Sequence, residues 1–413
     1  MKRLAQSALF RSLDRIRGGR LELRLPDGTR RAFGDGGSDL SASVEVHDGS
    51  LFRRAVLGGD IAFGETYADG LWNSPDLPSV TRLAARNAAV FDVGGRLPAT
   101  LGRWMERLRH RLHRNSLRGS RGNIRYHYDL GEDFYSLFLD PSLTYSCAIF
   151  DPPGISLADA QREKLDRIAR ALELSPADHL LEIGTGWGAF AIHAAKEYGC
   201  RVTTTTISRS QHDYARRRID EEGLTSRIAL LFEDYRRLSG IYDKAVSIEM
   251  FEAVGLRYYD DYFGAVDRRL KPGGSMLLQT IWMNEKRFER YHRQPDFIQR
   301  HIFPGSELAS VAEIRRSLAR TTRLAVSGVD EIGAHYVTTL ACWRERLLRN
   351  RERVRALGFP ESFLRMWEYY LAYCEGGFAE KHIGDAQILL RKAGTRSPVS
   401  GEAPRSELAS RTQ

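Results

Sequence analysis

The sequence contains little cysteine and no long apolar run. Four cysteines occur among 413 residues, and they lie far apart, at Cys147, Cys200, Cys342 and Cys374. Their spacing fits neither a zinc site nor a disulfide framework, so we expect no bound metal and a reducing, cytoplasmic environment. No stretch is long and apolar enough for a transmembrane helix, and the charged start of the chain is unlike a secretory signal. The sequence therefore predicts neither a disulfide-stabilised secreted protein nor an integral membrane protein.

Acidic residues are outnumbered, with 53 Asp and Glu against 62 Lys and Arg, for a net charge of +9. Residues 103–121 contain many arginines and the single acid Glu106, with Trp104, Leu108 and Leu112 between them. A helix here would have a cationic surface and an apolar seam, which favours peripheral contact with an anionic membrane. A solvated linker helix between domains is the alternative. Interleaved aromatic residues are scarce in this stretch, so we expect no nucleic-acid partner.

A glycine-rich turn follows a short apolar segment near the middle of the chain. Residues 179–183 predict a buried strand, and Gly184, Gly186 and Gly188 predict a tight turn into a helix. Glycine has no Cβ, so a ligand can lie directly against the backbone. The spacing differs from the G-x-G-x-x-G of dinucleotide sites, and Glu182 would repel a pyrophosphate and attract a cationic group. A strand–helix turn without a ligand is the alternative.

The alternation of strands and helices between residues 160 and 281 predicts an α/β fold with a doubly wound, mostly parallel, Rossmann-like sheet. Before it, alternating stretches around Pro26-Asp27-Gly28 predict a hairpin in a small N-terminal α+β domain. We assign residues 1–115 to that domain, 116–394 to the larger one and 395–413 to a disordered tail. Residues 284–300 suggest an irregular lid, 337–343 a late strand and 343–390 mostly helix.

Separated motifs then occur in a fixed order: Y-H-Y-D-L-G at 126–131, Y-S-C-A-I-F at 145–150, E-I-G-T-G-W-G at 182–188, M-F-E-A-V-G at 250–255 and G-A-H-Y at 333–336. As a set they resemble the cyclopropane fatty-acyl-phospholipid synthases and mycolic acid cyclopropane synthases, which are class I S-adenosylmethionine (AdoMet) methyltransferases. The resemblance covers roughly residues 123–394. Residues 64–72 also resemble the small N-terminal domain of the bacterial enzymes.

The resemblance implies methyl transfer from AdoMet to the cis double bond of an unsaturated phospholipid acyl chain. Attack by the alkene leaves a carbocation, and proton loss from the new methyl group closes a cyclopropane ring. It also implies a cytoplasmic enzyme that contacts the inner face of the membrane; a homodimer is left open. Two alternatives remain: a methyltransferase that makes a methylene- or methyl-branched chain, and an inactive protein that only binds membrane lipids.

For the cofactor, the resemblance assigns AdoMet contacts to the turn and to segments around it. The residues concerned are Tyr145, Ser146, Glu182, Gly184, Gly186, Gly188, Thr206, Gln211, Glu233 and Asp234. The last two follow the third predicted strand, where the adenine edge is read. Most class I methyltransferases have an acid that binds the ribose after the second strand; here a run of threonines stands in its place, and the Gln211 amide is left to contact the ribose hydroxyls.

For the base, the resemblance implies a bicarbonate ion in a small polar pocket. Its ligands by motif are Cys147, Glu252, Tyr336 and the backbone of Ile281. Better-known members complete the pocket with a histidine, where this chain has Gln279. Cys374 matches a cysteine long regarded as catalytic; since ring closure needs no thiolate nucleophile, we interpret it as structural or substrate-lining.

Overall fold

The computed structural model describes residues 2–91, 130–293 and 295–394. The N-terminal unit has a four-stranded sheet in the order β2-β1-β3-β4. Its elements are α1 (Lys2–Leu13), β1 (Arg20–Arg24), β2 (Arg30–Gly34), β3 (Ser41–Val46), α2 (Ser50–Ala68), β4 (Trp72–Asn73), α3 (Leu77–Arg86) and α4 (Ala88–Phe91). β1 and β2 form an antiparallel hairpin, and Gly28 at its turn has a φ of 83°, a conformation that glycine adopts without strain. The predicted hairpin is confirmed.

The larger unit is built on a seven-stranded sheet. Its strands are β5 (His179–Ile183), β6 (Arg201–Thr205), β7 (Ile228–Leu231), β8 (Tyr242–Ile248), β9 (Leu270–Met283), β10 (Leu324–Glu331) and β11 (Ile383–Lys392). Their spatial order is β10-β11-β9-β8-β5-β6-β7. β7, β6, β5, β8 and β9 run parallel, whereas β11 pairs antiparallel with both β9 and β10. The predicted Rossmann-like methyltransferase sheet is confirmed.

Helices surround this sheet. They are α5 (Gly131–Tyr135), α6 (Leu157–Ala171), α7 (Ala189–Glu197), α8 (Arg209–Glu221), α9 (Tyr259–Arg269), α10 (Glu285–Arg293), α11 (Phe297–His301), α12 (Val311–Thr321), α13 (Gly333–Arg349), α14 (Arg351–Ala356) and α15 (Glu361–Ala379). The carboxyl ends of the parallel strands meet at one edge of the sheet, which is where ligands bind in folds of this kind.

Two sequence predictions about the later part of the chain were wrong, and a third held for most of its length. Residues 337–343 form part of α13, because Tyr336, Leu340, Trp343 and Leu347 recur at helical spacing and are buried. The segment 343–390 is mostly helical, as predicted, but its helices end at residue 379 and β11 follows. The short apolar run in β11 is buried on both sides, and such a run cannot be told from buried helix by periodicity. The predicted irregular lid contains α10 and α11.

Several predictions lie outside the described residues. These are the arginine-rich stretch 103–121, the motif at 126–129, the domain boundary at 115 and the tail 395–413. Among the helices of the described ranges, none is both long and apolar enough to cross a membrane.

The two units share one apolar core. Buried residues such as Trp72 and Leu83 of the N-terminal unit belong to the same cluster as Trp367 and Phe378 of the larger unit. Polar contacts reinforce the junction: Glu380 accepts hydrogen bonds from Arg86 Nε at 2.8 Å and Nη2 at 2.9 Å. A bidentate guanidinium–carboxylate pair of this kind fixes the relative orientation of the two side chains and also stabilises the contact between the units.

Close packing of α15 on α3 gives a test of this junction. A Cβ added at Gly376 would lie 2.8 Å from backbone atoms of Thr81 and Arg82, whereas one at the neighbouring Gly377 would meet only the side chain of Ile383 at 3.3 Å. We expect Gly376→Ala to lower the free energy of unfolding by about 1–3 kcal/mol, the usual cost of overpacking. Gly377→Ala is the matched control, since it has the same gain in helix propensity. Thermal unfolding of both variants checks this; equal stability would contradict the close approach.

Candidate active site

The glycine turn connects β5 to α7 at the carboxyl edge of the sheet. Gly184, Gly186 and Gly188 all have positive φ, at 103°, 53° and 93°. The N–H groups of Gly184 and Thr185 both donate to the carbonyl of Thr205 at the end of β6, at 3.0 Å each. A Cβ at Gly186 would meet no protein atom within 4 Å. This face of the turn is therefore open toward a cavity, as a ligand cradle requires.

Glu182 lies beneath the turn and is almost fully buried. Thr204 Oγ1 donates a hydrogen bond to its Oε2 at 2.5 Å. Burial raises the pKa of the Glu182 carboxyl to about 8, against the lowering effects of Thr204 and the Lys164 charge. A positively charged group of a ligand bound close to Glu182 would favour the ionised form of its carboxyl.

The residues predicted to hold the rest of AdoMet flank the turn. Thr206 Oγ1 donates a hydrogen bond to Gln211 Oε1 at 2.9 Å, which fixes the orientation of the Gln211 amide. The NH2 group of that amide is then the part that can donate to the predicted ribose. Asp234 is buried, and both of its oxygens accept from Arg236, at 2.8 and 2.7 Å. Asp234 thus holds Arg236 at the rim, and Glu233 lies beside it half-buried.

A cavity of about 1300 Å³ joins these groups. It exceeds the roughly 300–1,000 Å³ of a typical small-ligand site. The predicted cofactor residues that line it are Tyr145, Ser146, Glu182, Gly184, Gly186, Thr206, Gln211, Glu233 and Asp234. Gly188 lies outside the lining and is the N-cap residue of α7, where a Cβ would come within 3.3 Å of Ala215. The cavity continues into the N-terminal unit, where its lining includes the apolar side chains of Leu9, Leu13, Leu21, Leu23, Val44 and Phe52.

The predicted base pocket lies at the end of β8, and an unpredicted residue, Glu249, is at its centre. The backbone N–H of Cys147 donates to Glu249 Oε1 at 2.8 Å, and Gln279 Nε2 donates to the same oxygen at 2.8 Å. Tyr336 Oη donates to Glu249 Oε2 at 2.6 Å. The structure therefore brings Cys147, Gln279 and Tyr336 together, as predicted, but around a side chain of the protein itself.

Two further acids border Glu249. Glu252 Oε1 accepts from the N–H of Ile281 at 2.5 Å and from Thr280 Oγ1 at 2.9 Å. Burial and the charge of Glu249 raise the pKa of Glu252 to about 7. Asp385 on β11 receives the other hydrogen bond of Gln279 Nε2, at 3.2 Å. Burial, then the neighbouring Glu249, raises the pKa of Asp385 well above its usual range.

The two cysteines of the predicted site are held as neutral thiols. Cys147 is completely buried, and burial raises the pKa of its thiol well above the ordinary value. Cys374 lines the cavity, and burial raises the pKa of its thiol as well. Since the thiolate is the reactive form, neither cysteine is arranged as a nucleophile. This agrees with the interpretation of Cys374 as lining the substrate path.

The pocket does not suit an added bicarbonate. The Cys147 N–H and the Tyr336 hydroxyl, which the family resemblance assigns to the ion, both donate to Glu249. The Ile281 N–H donates to Glu252. A bicarbonate placed here would compete with carboxylates for their donors and would meet like charge at close range.

Sequence reasoning missed Glu249, Asp385 and Lys164. Lys164 is fully buried on α6, and its Nζ donates to Ser146 Oγ at 2.7 Å. A charged residue on the apolar face of that helix, one turn before Ile168, was a signal that could have identified it. Glu249 also had a signal, since an acid directly follows the apolar segment of β8.

Gly186 offers a test of the cofactor cradle. Gly186→Val should abolish AdoMet binding, because the new side chain would enter the open face of the turn. Gly223→Val is the matched control: Gly223 has a φ of 67°, also meets nothing within 4 Å, and is exposed away from the cavity. Both changes carry the same left-handed backbone strain. Calorimetric titration with AdoMet checks the result, and equal affinity in the two variants would contradict the cradle.

Comparison with known proteins agrees with this geometry. The family model described as mycolic acid cyclopropane synthetase matches residues 115–388. A tuberculostearic acid methyltransferase of Mycobacterium tuberculosis is 36% identical over 404 residues, covering 94% of this chain and 92% of its own. A cyclopropane-fatty-acyl-phospholipid synthase of Escherichia coli is 34% identical over 351 residues, covering 85% and 88%.

Solved structures give the same result. A mycolic acid cyclopropane synthase complexed with S-adenosylhomocysteine (SAH) and CTAB aligns with a TM-score of 0.62 and 30% identity, covering 66% of this chain and 98% of its own. Together with the glycine cradle, these similarities support AdoMet as the methyl donor. The chain belongs to the mycolic acid cyclopropane synthetase family and is a cyclopropane-fatty-acyl-phospholipid synthase-like, AdoMet-dependent methyltransferase.

Proposed function

We propose that the protein methylates the cis double bond of an unsaturated phospholipid acyl chain and that the product is a cyclopropane ring. The observation that carries this proposal is the single cavity that joins the glycine cradle to the apolar interior of the N-terminal unit. An acyl chain is the kind of ligand that needs a long apolar channel ending at a methyl donor.

The side chains around the junction suit a cationic reaction. AdoMet supplies an electrophilic methyl group, and attack by the alkene puts positive charge on the chain. The rings of Tyr145, Phe303, Tyr336 and Tyr370 line the cavity, and the hydroxyls of Tyr145 and Tyr370 lie 2.8 Å apart. Aromatic faces stabilise a nearby cation without quenching it, as water would.

A second candidate product is a branched chain. After methyl transfer, a hydride shift on the acyl chain followed by loss of a methyl proton gives a methylene branch, which a reductase would convert to a methyl branch. The observation that favours it is the similarity to the tuberculostearic acid methyltransferase over nearly the whole length of both chains. Gln279, where better-known members have histidine, is consistent with it.

Analysis of lipids from a host that lacks its own enzyme of this kind tests both candidates. Expression of the protein should add one CH2 to monounsaturated phospholipid chains, and fragmentation or NMR then separates ring from methylene. The Gly186→Val variant is the inactive control. Unchanged acyl chains with the wild-type protein would contradict the proposal, as would methylation of a headgroup instead.

Contact with the membrane surface is part of the proposal, with the enzyme in the cytoplasm at the inner face. The net charge of +9 and the arginines at 103–121 support it. Co-sedimentation with anionic phospholipid vesicles should weaken as salt is added and should fall when Arg107, Arg111 and Arg114 are replaced by glutamine. Zwitterionic vesicles are the control. Binding that ignores both salt and lipid charge would contradict an electrostatic surface contact.

A further inference from the structure

Both the backbone and the side chain of Glu249 make hydrogen bonds at the centre of the base pocket. It is the first residue after β8, and its own N–H donates to the carbonyl of Gln279 at 2.9 Å. The next residue, Met250, lies against the glycine turn, where a Cβ on Gly184 would come within 2.9 Å of it. Glu249 therefore lies beside the cradle and lines the same cavity.

The backbone of Glu249 is in the left-handed region, with a φ of 47°. Glycine adopts this conformation freely, but it is unfavourable for a residue with a Cβ. Such outliers persist where the surroundings enforce them, and they occur often in active sites. At this position the strain aims a carboxylate at the donors described above.

The hydrogen bonds indicate that Glu249 carries the negative charge of the acid cluster. Three donors point at its two oxygens: the Cys147 N–H, the Gln279 amide and the Tyr336 hydroxyl. Donors of this kind stabilise a carboxylate that, like the half-buried Glu249, is partly removed from water. Asp385 has a pKa raised by burial and by Glu249, so it is the partner that keeps its proton.

Gln279 binds the Glu249 carboxylate through a hydrogen bond and carries no charge itself. Its Oε1 accepts from Gln387 Nε2 at 3.1 Å, which fixes the orientation of the amide. The NH2 group must then point toward Glu249 and Asp385. An amide donates without bringing a charge of its own, so Glu249 keeps its capacity to accept a proton.

We propose that the Glu249 carboxylate is the base that removes the proton from the methylated acyl chain, in the role that an external bicarbonate would otherwise have. This inference rests on the proposed function. In the first step the alkene electron pair forms a bond to the AdoMet methyl carbon, and the C–S pair stays on sulfur. A Glu249 oxygen then takes one proton from the added methyl group. The released C–H pair forms the third bond of the ring, or the methylene double bond after a hydride shift, and Glu249 becomes a carboxylic acid.

The first test compares turnover of Glu249→Gln with that of the wild type in buffer freed of bicarbonate. We expect a loss of roughly a hundredfold or more, as for a missing general base, with unchanged AdoMet affinity. Glu331→Gln is the control for the same loss of a carboxylate away from the site, since Glu331 is exposed at the end of β10 and lies outside the cavity. Glu249→Gly relaxes the left-handed backbone, so it gives the same readout if the glutamine variant fails to fold.

Bicarbonate itself supplies the second test. Wild-type turnover should be the same with and without added bicarbonate, and the NMR signal of 13C-labelled bicarbonate should be unaffected by the wild-type protein. Removal of the side chain in Glu249→Gly frees the Cys147, Gln279 and Tyr336 donors, so bicarbonate should bind there and restore part of the turnover.

Wild-type turnover that needs bicarbonate, saturable bicarbonate binding by the wild type, or near-normal turnover of either Glu249 variant without bicarbonate would overturn the inference. A wild-type protein that methylates no acyl chain would instead overturn the proposed function, and the bicarbonate binding measurement would still report on the pocket.

Discussion

The hydrogen-bonded carboxylate of Glu249 is the interaction on which the arrangement of the site depends. Glu249 is half-buried, and a carboxylate that is partly removed from water is costly unless donors surround it. Its donors come from three separate parts of the chain: the segment before α6, strand β9 and helix α13. The same contact therefore fixes the edge of the sheet, the aromatic segment that covers it and the helix that closes the cavity. Loss of any one donor would leave the charge poorly compensated and would loosen the other two.

The N-terminal unit contributes to the site as well as to the fold. Its helices pack on α15 through a shared apolar core, and one cavity is lined by residues of both units. A long apolar chain bound there would contact both units at once. The cavity therefore belongs to both units, because it extends from the N-terminal unit to the glycine cradle of the larger unit.

Much of the site could be predicted because its elements are local in sequence. A few consecutive residues are enough to recognise the strand before Gly184, the turn itself and the strand preceding Thr206. The N-terminal hairpin was equally local. The later strand β11 was not: it pairs antiparallel with β9 and β10, and its continuous apolar run has no periodicity that separates strand from helix.

Two site residues were not predicted from the sequence because their positions depend on the folded structure. Asp385 reaches the pocket because it pairs with Ile281 across β9 and β11, and residue 385 had been assigned to a helical segment. Glu249 is close in sequence to the predicted Glu252, yet only the left-handed turn at residue 249 directs its side chain to Tyr336. Motif matching named Cys147, Gln279 and Tyr336, which the structure brings together, but it did not identify Glu249 as the residue that accepts their hydrogen bonds.

The central claim is that a methyl group from AdoMet is added to the acyl chain and then loses one proton to a base inside the cavity. Turnover with AdoMet carrying a fully deuterated methyl group, followed by mass spectrometry of the modified chain, tests this directly. We expect two deuterium atoms to remain in each added carbon, whether the product is a ring or a methylene branch. Retention of all three would mean that the methyl group never gave up a proton, which would contradict the account.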